Sequence, residues 1–407
     1  MRKIVIAGCG FAGYHAARLL EKSLAGRRRV EVTVVTARAH FVFSRLLSKV
    51  ASGELSPEHI VTPVDEALST RTRVVVDEIT GVDLDRRRLI TEREPLSFDY
   101  LLIATGSQRR PSAFQGAELL LGPDSLSEAV AIRDHIAELR PRDDAPLSFA
   151  IIGASSSGVE WSAELASALA EDRDLRSATG DLSIDLFEAG PRILPDHSAQ
   201  MSAHAVEVLN QLGVQIHTDT LVESARNDQL TVVDGEPRTF SRVFHCAGRA
   251  GLPLWSKAGV DVDELGRIIV EDTLALAAHP AVFVAGDAAA PVSDTPLRSD
   301  PQIALQQGQW AARNLLAAMS GRTLKPFQFE ASGDFLTLGR HQAALELRGV
   351  LLEGRAAWLA NRLYYTALMP RALKKARLLV DWIARRIGSD DTASGQDSPR
   401  RLSSDSD

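Results

Sequence analysis

Cysteine is scarce: Cys9 and Cys246 are the two in 407 residues, and neither belongs to a C-x-x-C. That argues against a disulfide framework, a zinc site or a dithiol redox centre, and both read as small buried hydrophobes. No run of 18 or more apolar residues exists, so no helix is expected to span a membrane. The ten histidines fall into no metal-binding spacing such as H-E-x-x-H and read as structural or exposed. No Ser-His-Asp or paired-carboxylate arrangement can be argued from the sequence. Positive charge is not in excess either: the net charge is −7, which gives no reason to expect a nucleic-acid partner. No secretory signal is visible ahead of the first strand, and a cytoplasmic location is the expectation.

What is present is a repeated pattern. Lys3–Ala7 (KIVIA) reads as a buried parallel strand, Tyr14–Lys22 as a helix and Val30–Thr36 (VEVTVVT) as a second strand. Short strands follow through Val74–Leu102, closing on Tyr100–Ala104 before Thr105 and Gly106. After a helix at Ser127–Leu139 and a polar linker at Arg140–Pro146, the pattern returns. Leu147–Ile152 is a strand, Gly153–Gly158 a small-residue loop, Val159–Ala170 a helix and Ser183–Glu188 a strand. The chain length accommodates two or three domains, and two βαβ units point to an α/β architecture with two Rossmann-type dinucleotide-binding domains.

The first loop, Gly8-Cys9-Gly10-Phe11-Ala12-Gly13, is a full G-x-G-x-x-G between strand and helix. Its first glycine allows the tight turn, its second admits a pyrophosphate and its third lets helix and strand pack closely. The second loop keeps Gly153 and Gly158 but has Ser155 in the middle, with Ser157 beside the helix start. Glu188 ends the following strand, where a carboxylate accepts hydrogen bonds from both ribose hydroxyls of an adenosine. That carboxylate repels a 2′-phosphate, which favours NADH over NADPH; Arg192 nearby argues the other way. The first unit has Thr36, Ala37 and Arg38 at the matching place and no acid. Either its nucleotide is held less firmly there, or Arg38 and backbone groups compensate.

The ordered segments GCGFAG, YLLIATGS, IIGASSSGVE, GRIIVEDT and VFVAGDAA resemble the flavoproteins with two dinucleotide-binding domains, over roughly residues 1–325. His40–Leu55, Pro301–Gly308 (PQIALQQG) and the ending from Gly354–Leu363 to Asp381–Trp382 narrow the resemblance to the type II NADH:quinone oxidoreductases. The resemblance implies that the first loop holds FAD, with Ala104, Thr105, Gly106 and Gly286 beside it, and that Asp287 binds a ribityl hydroxyl. It implies NADH on the second loop, with Gly248 near that site and Glu160 near the nicotinamide. Asp287 can equally be a helix cap, and Glu160 a first-turn glutamate favoured by the helix dipole. Gln302 and Gln306 match the quinone motif and share one helix face. Thr36, Ser44, Arg45 and Pro301 depart from the family pattern. Arg45 can place a positive charge near the isoalloxazine and raise the flavin potential.

The expected domains are 1–115 with 270–330 for FAD, 116–269 for NADH, an α+β extension at 331–387, and a disordered tail at 388–407 rich in Ser and Asp. Arg371–Ile387 carries apolar residues at helical spacing, with six positive charges against Asp381. Two helical stretches separated by Pro370, over 355–387, therefore read as a peripheral membrane contact on the inner face of the cell membrane, or as a face docked on the protein itself or on a second subunit in a homodimer. Three activities follow: hydride from NADH to FAD and electrons on to a quinone without proton pumping; a soluble NADH-dependent reductase with a protein or small acceptor; or a non-enzymatic flavoprotein sensor or scaffold.

Overall fold

The computed structural model describes residues 1–27, 29–110, 113–139, 147–171, 182–291 and 298–369. The linker at 140–146, the basic stretch at 371–387 and the tail at 388–407 lie outside the described residues.

The chain opens with strand β1 (Arg2–Ala7), helix α1 (Phe11–Ser23), strand β2 (Val30–Thr36), strand β3 (Thr72–Val76) and strand β4 (Tyr100–Ile103). A second unit follows: strand β5 (Ser148–Ile152), helix α2 (Ser156–Glu171), and strands β6 (Ser183–Phe187), β7 (Val214–His217) and β8 (Arg242–His245). The chain then returns to the first sheet as β9 (Val282–Val284) and runs into helix α3 (Pro301–Met319). Strands β10 (Asp334–Thr337), β11 (Ala343–Leu347) and β12 (Val350–Glu353) form an antiparallel sheet, and helix α4 (Gly354–Leu368) follows it.

Two parallel sheets result, in the orders β9-β4-β1-β2-β3 and β7-β6-β5-β8. Their central strands are covered on both faces, which is why they read as nearly continuous runs of Val, Ile, Leu and Phe. In each sheet the strand order reverses beside the first strand of the unit, and this switch point opens a crevice at the strands' carboxyl ends. Both glycine loops lie there.

The nucleotide-loop helices start earlier than periodicity suggests, at Phe11 rather than Tyr14 and at Ser156 rather than Val159. The third glycine of each loop explains this, because it sits inside the first turn. A Cβ on Gly13 would lie 2.0 Å from the Gly8 carbonyl oxygen, and one on Gly158 would lie 1.8 Å from that of Gly153. Helix and loop can therefore touch only through glycine, and apolar periodicity is blind to such a turn. Helix α3 starts at Pro301, where the Asp300 carboxylate accepts from the Gln302 N–H at 2.7 Å.

Candidate functional site

A cavity of about 630 Å³ lies against the first glycine loop. Gly8 takes φ +102°, and a Cβ there would meet the Ala104 carbonyl oxygen at 2.4 Å, whereas a Cβ on Gly10 would meet nothing within 4 Å. The first glycine thus lets the turn form, and the second leaves backbone open to the cavity. Helix α1 begins there with no side-chain cap and no acidic residue in its first turn. Its unpaired N–H groups and positive dipole end are available to an anion such as a pyrophosphate. This is the cradle a dinucleotide requires, and it fits FAD.

The cavity is lined by Gly8, Gly10, Phe11, Ala12, Thr36, Arg38, Arg45, Ala104, Thr105, Gly106, Gly286 and Asp287 from the expected first site, and by Ser157 and Glu160 from α2. Gly13 and Gly158 serve close packing beneath. Gly153, Ser155, Glu188 and Gly248 do not line it. Gly153 (φ +96°) makes the second turn, Ser155 accepts from the Val159 N–H at 3.0 Å, and Gly248 (φ +65°) bends the chain after β8.

Thr36 spends its hydroxyl on the Arg38 carbonyl at 3.1 Å, so it shapes the turn after β2. Asp287 accepts from the Ser107 hydroxyl at 2.9 Å and lies 3.8 Å from Arg249 Nε, and Gln307 accepts from the Gly286 N–H at 2.8 Å. Gln307 and Arg249 escaped the sequence reading because Gln307 is not one of the matching positions of PQIALQQG and Arg249 stands in no motif; each acts by holding another residue. Glu188 is preset by backbone: its two oxygens accept from the Ala154 and Gly190 N–H groups at 2.8 and 2.9 Å. Arg192 is spoken for, donating to the carbonyls of Leu194, Pro195 and His197 at 3.2, 2.7 and 2.9 Å. These bonds fix its guanidinium on its own loop.

Arg45 reaches across the cavity end. Its Nη2 donates to Glu160 Oε1 at 3.0 Å and to the Phe335 carbonyl at 3.1 Å, and its Nε donates to the Tyr365 hydroxyl at 3.1 Å. Burial opposes the charge of Arg45, but Glu160, Tyr365 and Asp300 outweigh it and hold the guanidinium above its ordinary pKa. Burial pushes the Tyr365 phenol up, against the pull of Arg45.

One turn along α2 from Glu160, a second charged group is buried. Lys49 bridges Glu54 at 2.6 Å and Glu164 at 3.0 Å, while Arg362 bonds Glu54 at 2.7 Å. Burial pushes Glu164 up to about 7, with Glu54 adding to the rise against Lys49. Glu54 goes the other way, to about 2, because Lys49, its hydrogen bond with Glu164 and Arg362 outweigh burial.

The glutamine pair docks a backbone segment. Neither Gln302 nor Gln306 lines the cavity. Gln302 donates to the Gly333 carbonyl at 2.8 Å and accepts from the Ser332 N–H at 3.2 Å, and Gln306 makes both bonds to the Glu330 backbone, at 2.7 and 3.0 Å. Each amide thus makes one bond in each direction to the irregular 330–333 segment and holds it against α3. Their motif neighbours Pro301 and Ala304 line the cavity instead. Cys9 and Cys246 are buried and free; burial pushes Cys9 up to about 12 and also raises Cys246, so neither offers a thiolate near neutral pH. Among the described residues no cluster of metal-ligating side chains occurs, and no helix is long and apolar enough to cross a membrane.

Comparison with known proteins agrees with this geometry. The chain is 28% identical to the type II NADH:quinone oxidoreductase Ndh of Mycobacterium tuberculosis, covering 93% of this chain and 87% of that protein. It is 27% identical to the demethylphylloquinone reductase NdbB of a Synechocystis species, covering 95% and 96%. Its fold matches that of NDH2 from Plasmodium falciparum, solved with NADH, with a TM-score of 0.83 over 95% of this chain and 98% of the other at 16% identity. The family model for pyridine nucleotide-disulphide oxidoreductases matches residues 2–310, and the chain belongs to that family.

Proposed function

We propose that the chain is an FAD-dependent oxidoreductase that accepts hydride from NADH and passes electrons to a quinone, without pumping protons. One observation carries the reading: Ser157 and Glu160 of the second unit's helix line the same cavity as the first unit's glycine loop and Asp287. Nucleotides held by the two loops are thereby brought together at one place. The names of the relatives support NADH as donor and a quinone as acceptor.

In this reading Gly8, Gly10, Phe11, Ala12 and the start of α1 hold the FAD pyrophosphate, and Asp287 the ribityl chain. Arg38 faces the adenosine, and Ala104, Thr105, Gly106 and Gly286 wall the cavity. Residues 1–115 and 270–330 form this unit. Gly153, Ser155, Ser157 and Gly158 receive the NADH pyrophosphate and Glu188 the adenosine ribose, within 116–269. FAD supplies the two-electron carrier between donor and acceptor; the residues around it position the partners and exclude water. Arg45 and Glu160 form a charged wall beside the acceptor. Gln302 and Gln306 position the 330–333 segment in that wall.

The C-terminal hairpin and α4 expose Leu347, Val350, Leu352, Leu359 and Leu363. This apolar face lies on the module that carries Tyr365 to Arg45, and we assign it to peripheral contact with a membrane, where a lipid-soluble quinone resides. The test is an anaerobic titration of the purified protein with NADH, followed by visible absorbance and then by addition of a quinone. Bleaching at stoichiometric NADH and return of colour with quinone are expected. A bound flavin that does not bleach sinks the reading. Bleaching without reoxidation by any quinone points to another acceptor.

A further inference from the structure

The two units hold the same loop position by different means. Three residues after the first glycine, the first unit has Phe11, buried and packed edge-on against Phe41 and Phe43 at 5.5 and 5.1 Å between ring centroids. The second unit has Ser156 there. Its Oγ lies 2.7 Å from His197 Nε2, and His197 Nδ1 lies 2.7 Å from Asp334 Oδ2. His197 is 8% exposed. Its own N–H is bonded to the Leu194 carbonyl at 3.0 Å, and its carbonyl accepts from Arg192 at 2.9 Å.

Burial opposes ionisation of Asp334, but His197 and Arg298 outweigh it and hold the carboxyl below its ordinary pKa. A carboxylate at this place accepts from Nδ1–H, and the hydrogen-bond network then makes Nε2 of neutral imidazole the acceptor for the Ser156 hydroxyl. These residue types drive acyl transfer elsewhere. Here Arg298 forks both oxygens of Asp334 at 3.0 and 2.7 Å, which withdraws the charge that would stabilise an imidazolium.

We infer that His197 is a positioning residue for the nicotinamide nucleotide, holding Ser156 and the first turn of α2 where that helix start receives the pyrophosphate. The inference rests on the assignment of the second loop to NADH given above. The need is local. Serine is an indifferent helix former whose hydroxyl competes for nearby backbone groups, and Ser155–Ser157 places three in a row where the N–H array must stay ordered. The relay removes that competition for Ser156. It also ties the turn to β10, which runs on along α2: the Thr337 N–H donates to Glu160 Oε1 at 3.0 Å.

The experiment measures, on FAD-loaded protein, the KM for NADH, kcat and the Kd for NAD⁺ read from the flavin spectrum. The variants are His197→Ala, His197→Gln, His197→Asn and Ser156→Ala. A glutamine amide reaches the place of Nε2 and an asparagine amide that of Nδ1. His197→Ala and Ser156→Ala are each expected to raise KM and Kd about tenfold, with a smaller change in kcat and unchanged flavin content. Their combination is expected to add little, and His197→Gln to recover most of the loss while His197→Asn does not. Unchanged KM and Kd in Ser156→Ala, or recovery by asparagine and not by glutamine, overturns the inference. Ser156→Ala decides the matter if His197→Ala does not fold. If NADH fails to bleach the wild-type flavin, the assignment of the second loop has failed, and the inference with it; bleaching with unaltered variants defeats the inference alone.

Discussion

Arg45 Nη2 lies 3.0 Å from Glu160 Oε1, so a residue of the first unit closes a buried ion pair with the helix of the second. Both side chains are largely shielded, at 15% and 8% exposure. Removing one partner of such a pair strands the other, at a cost of roughly 3–5 kcal/mol. Arg45→Ala is therefore expected to lower the unfolding free energy in urea by about that amount, with Arg45→Lys recovering part because it keeps the charge and loses the fork. The flavin potential should fall in Arg45→Ala, since a positive charge near the reduced flavin is lost. An unchanged potential would mean that Arg45 serves only to join the units.

Two glycines separate the two nucleotides experimentally. Gly13→Ala drives a methyl to 2.0 Å from the Gly8 oxygen, and Gly158→Ala does the same at 1.8 Å from the Gly153 oxygen. Neither neighbour can yield, because each is backbone. Gly13→Ala is expected to purify without flavin. Gly158→Ala is expected to keep its flavin band and to raise the KM for NADH by more than tenfold. Loss of flavin in both would contradict the assignment of one nucleotide to each loop.

The Lys49–Glu54–Glu164 group sets a pH dependence of stability. Glu164 rises from 4.5 to about 7 on folding. Between those values the folded state keeps a proton that the unfolded chain has released, so stability falls as pH rises through this window, by up to about 1.4 kcal/mol per pH unit. Glu54 works oppositely: held at about 2, it supplies stability that is lost as pH falls from 4.5 towards 2. The two carboxyls titrate as a pair. Unfolding in urea from pH 4.5 to 8 should show Glu164→Gln gaining on the wild type as pH rises. A constant difference would place the proton elsewhere.

Most of the fold was legible because its signals are local. Both glycine loops, the strands before them and Glu188 stand in short segments where spacing dictates geometry. The helix starts were misplaced by three residues because the first turn is made by glycines, and apolar periodicity cannot register a missing Cβ. The site was less legible. Gln302 and Gln306 carry a motif, yet their partners at 330–333 lie some 24 to 31 residues on, and no local pattern shows that both amides dock that segment. Ser156, His197 and Asp334 were invisible as a group for the same reason, being brought together from three elements 41 and 137 residues apart. Arg192 argued against NADH in the sequence, where its three carbonyl partners cannot be seen.

The apolar face at the C-terminal end yields the last prediction. Helix α4 buries Ala357, Asn361 and Tyr365 on one side, at i, i+4 and i+8. Leu359 and Leu363, each 54% exposed, stand on another side of the same helix. Val350 and Leu352 at the hairpin are exposed as well, at 70% and 43%. Each leucine that leaves water contributes roughly 1.5–3 kcal/mol at full burial, so two or three of them support reversible binding to a bilayer without any spanning segment. Leu359→Glu with Leu363→Glu should cut co-sedimentation with phosphatidylglycerol-containing vesicles at least tenfold. Bleaching by NADH and turnover with a water-soluble quinone should persist, while turnover with a long-tailed quinone in the vesicles falls. If the pair of substitutions instead converts a dimer to a monomer in size-exclusion chromatography and leaves vesicle binding intact, this face belongs to a second copy of the chain.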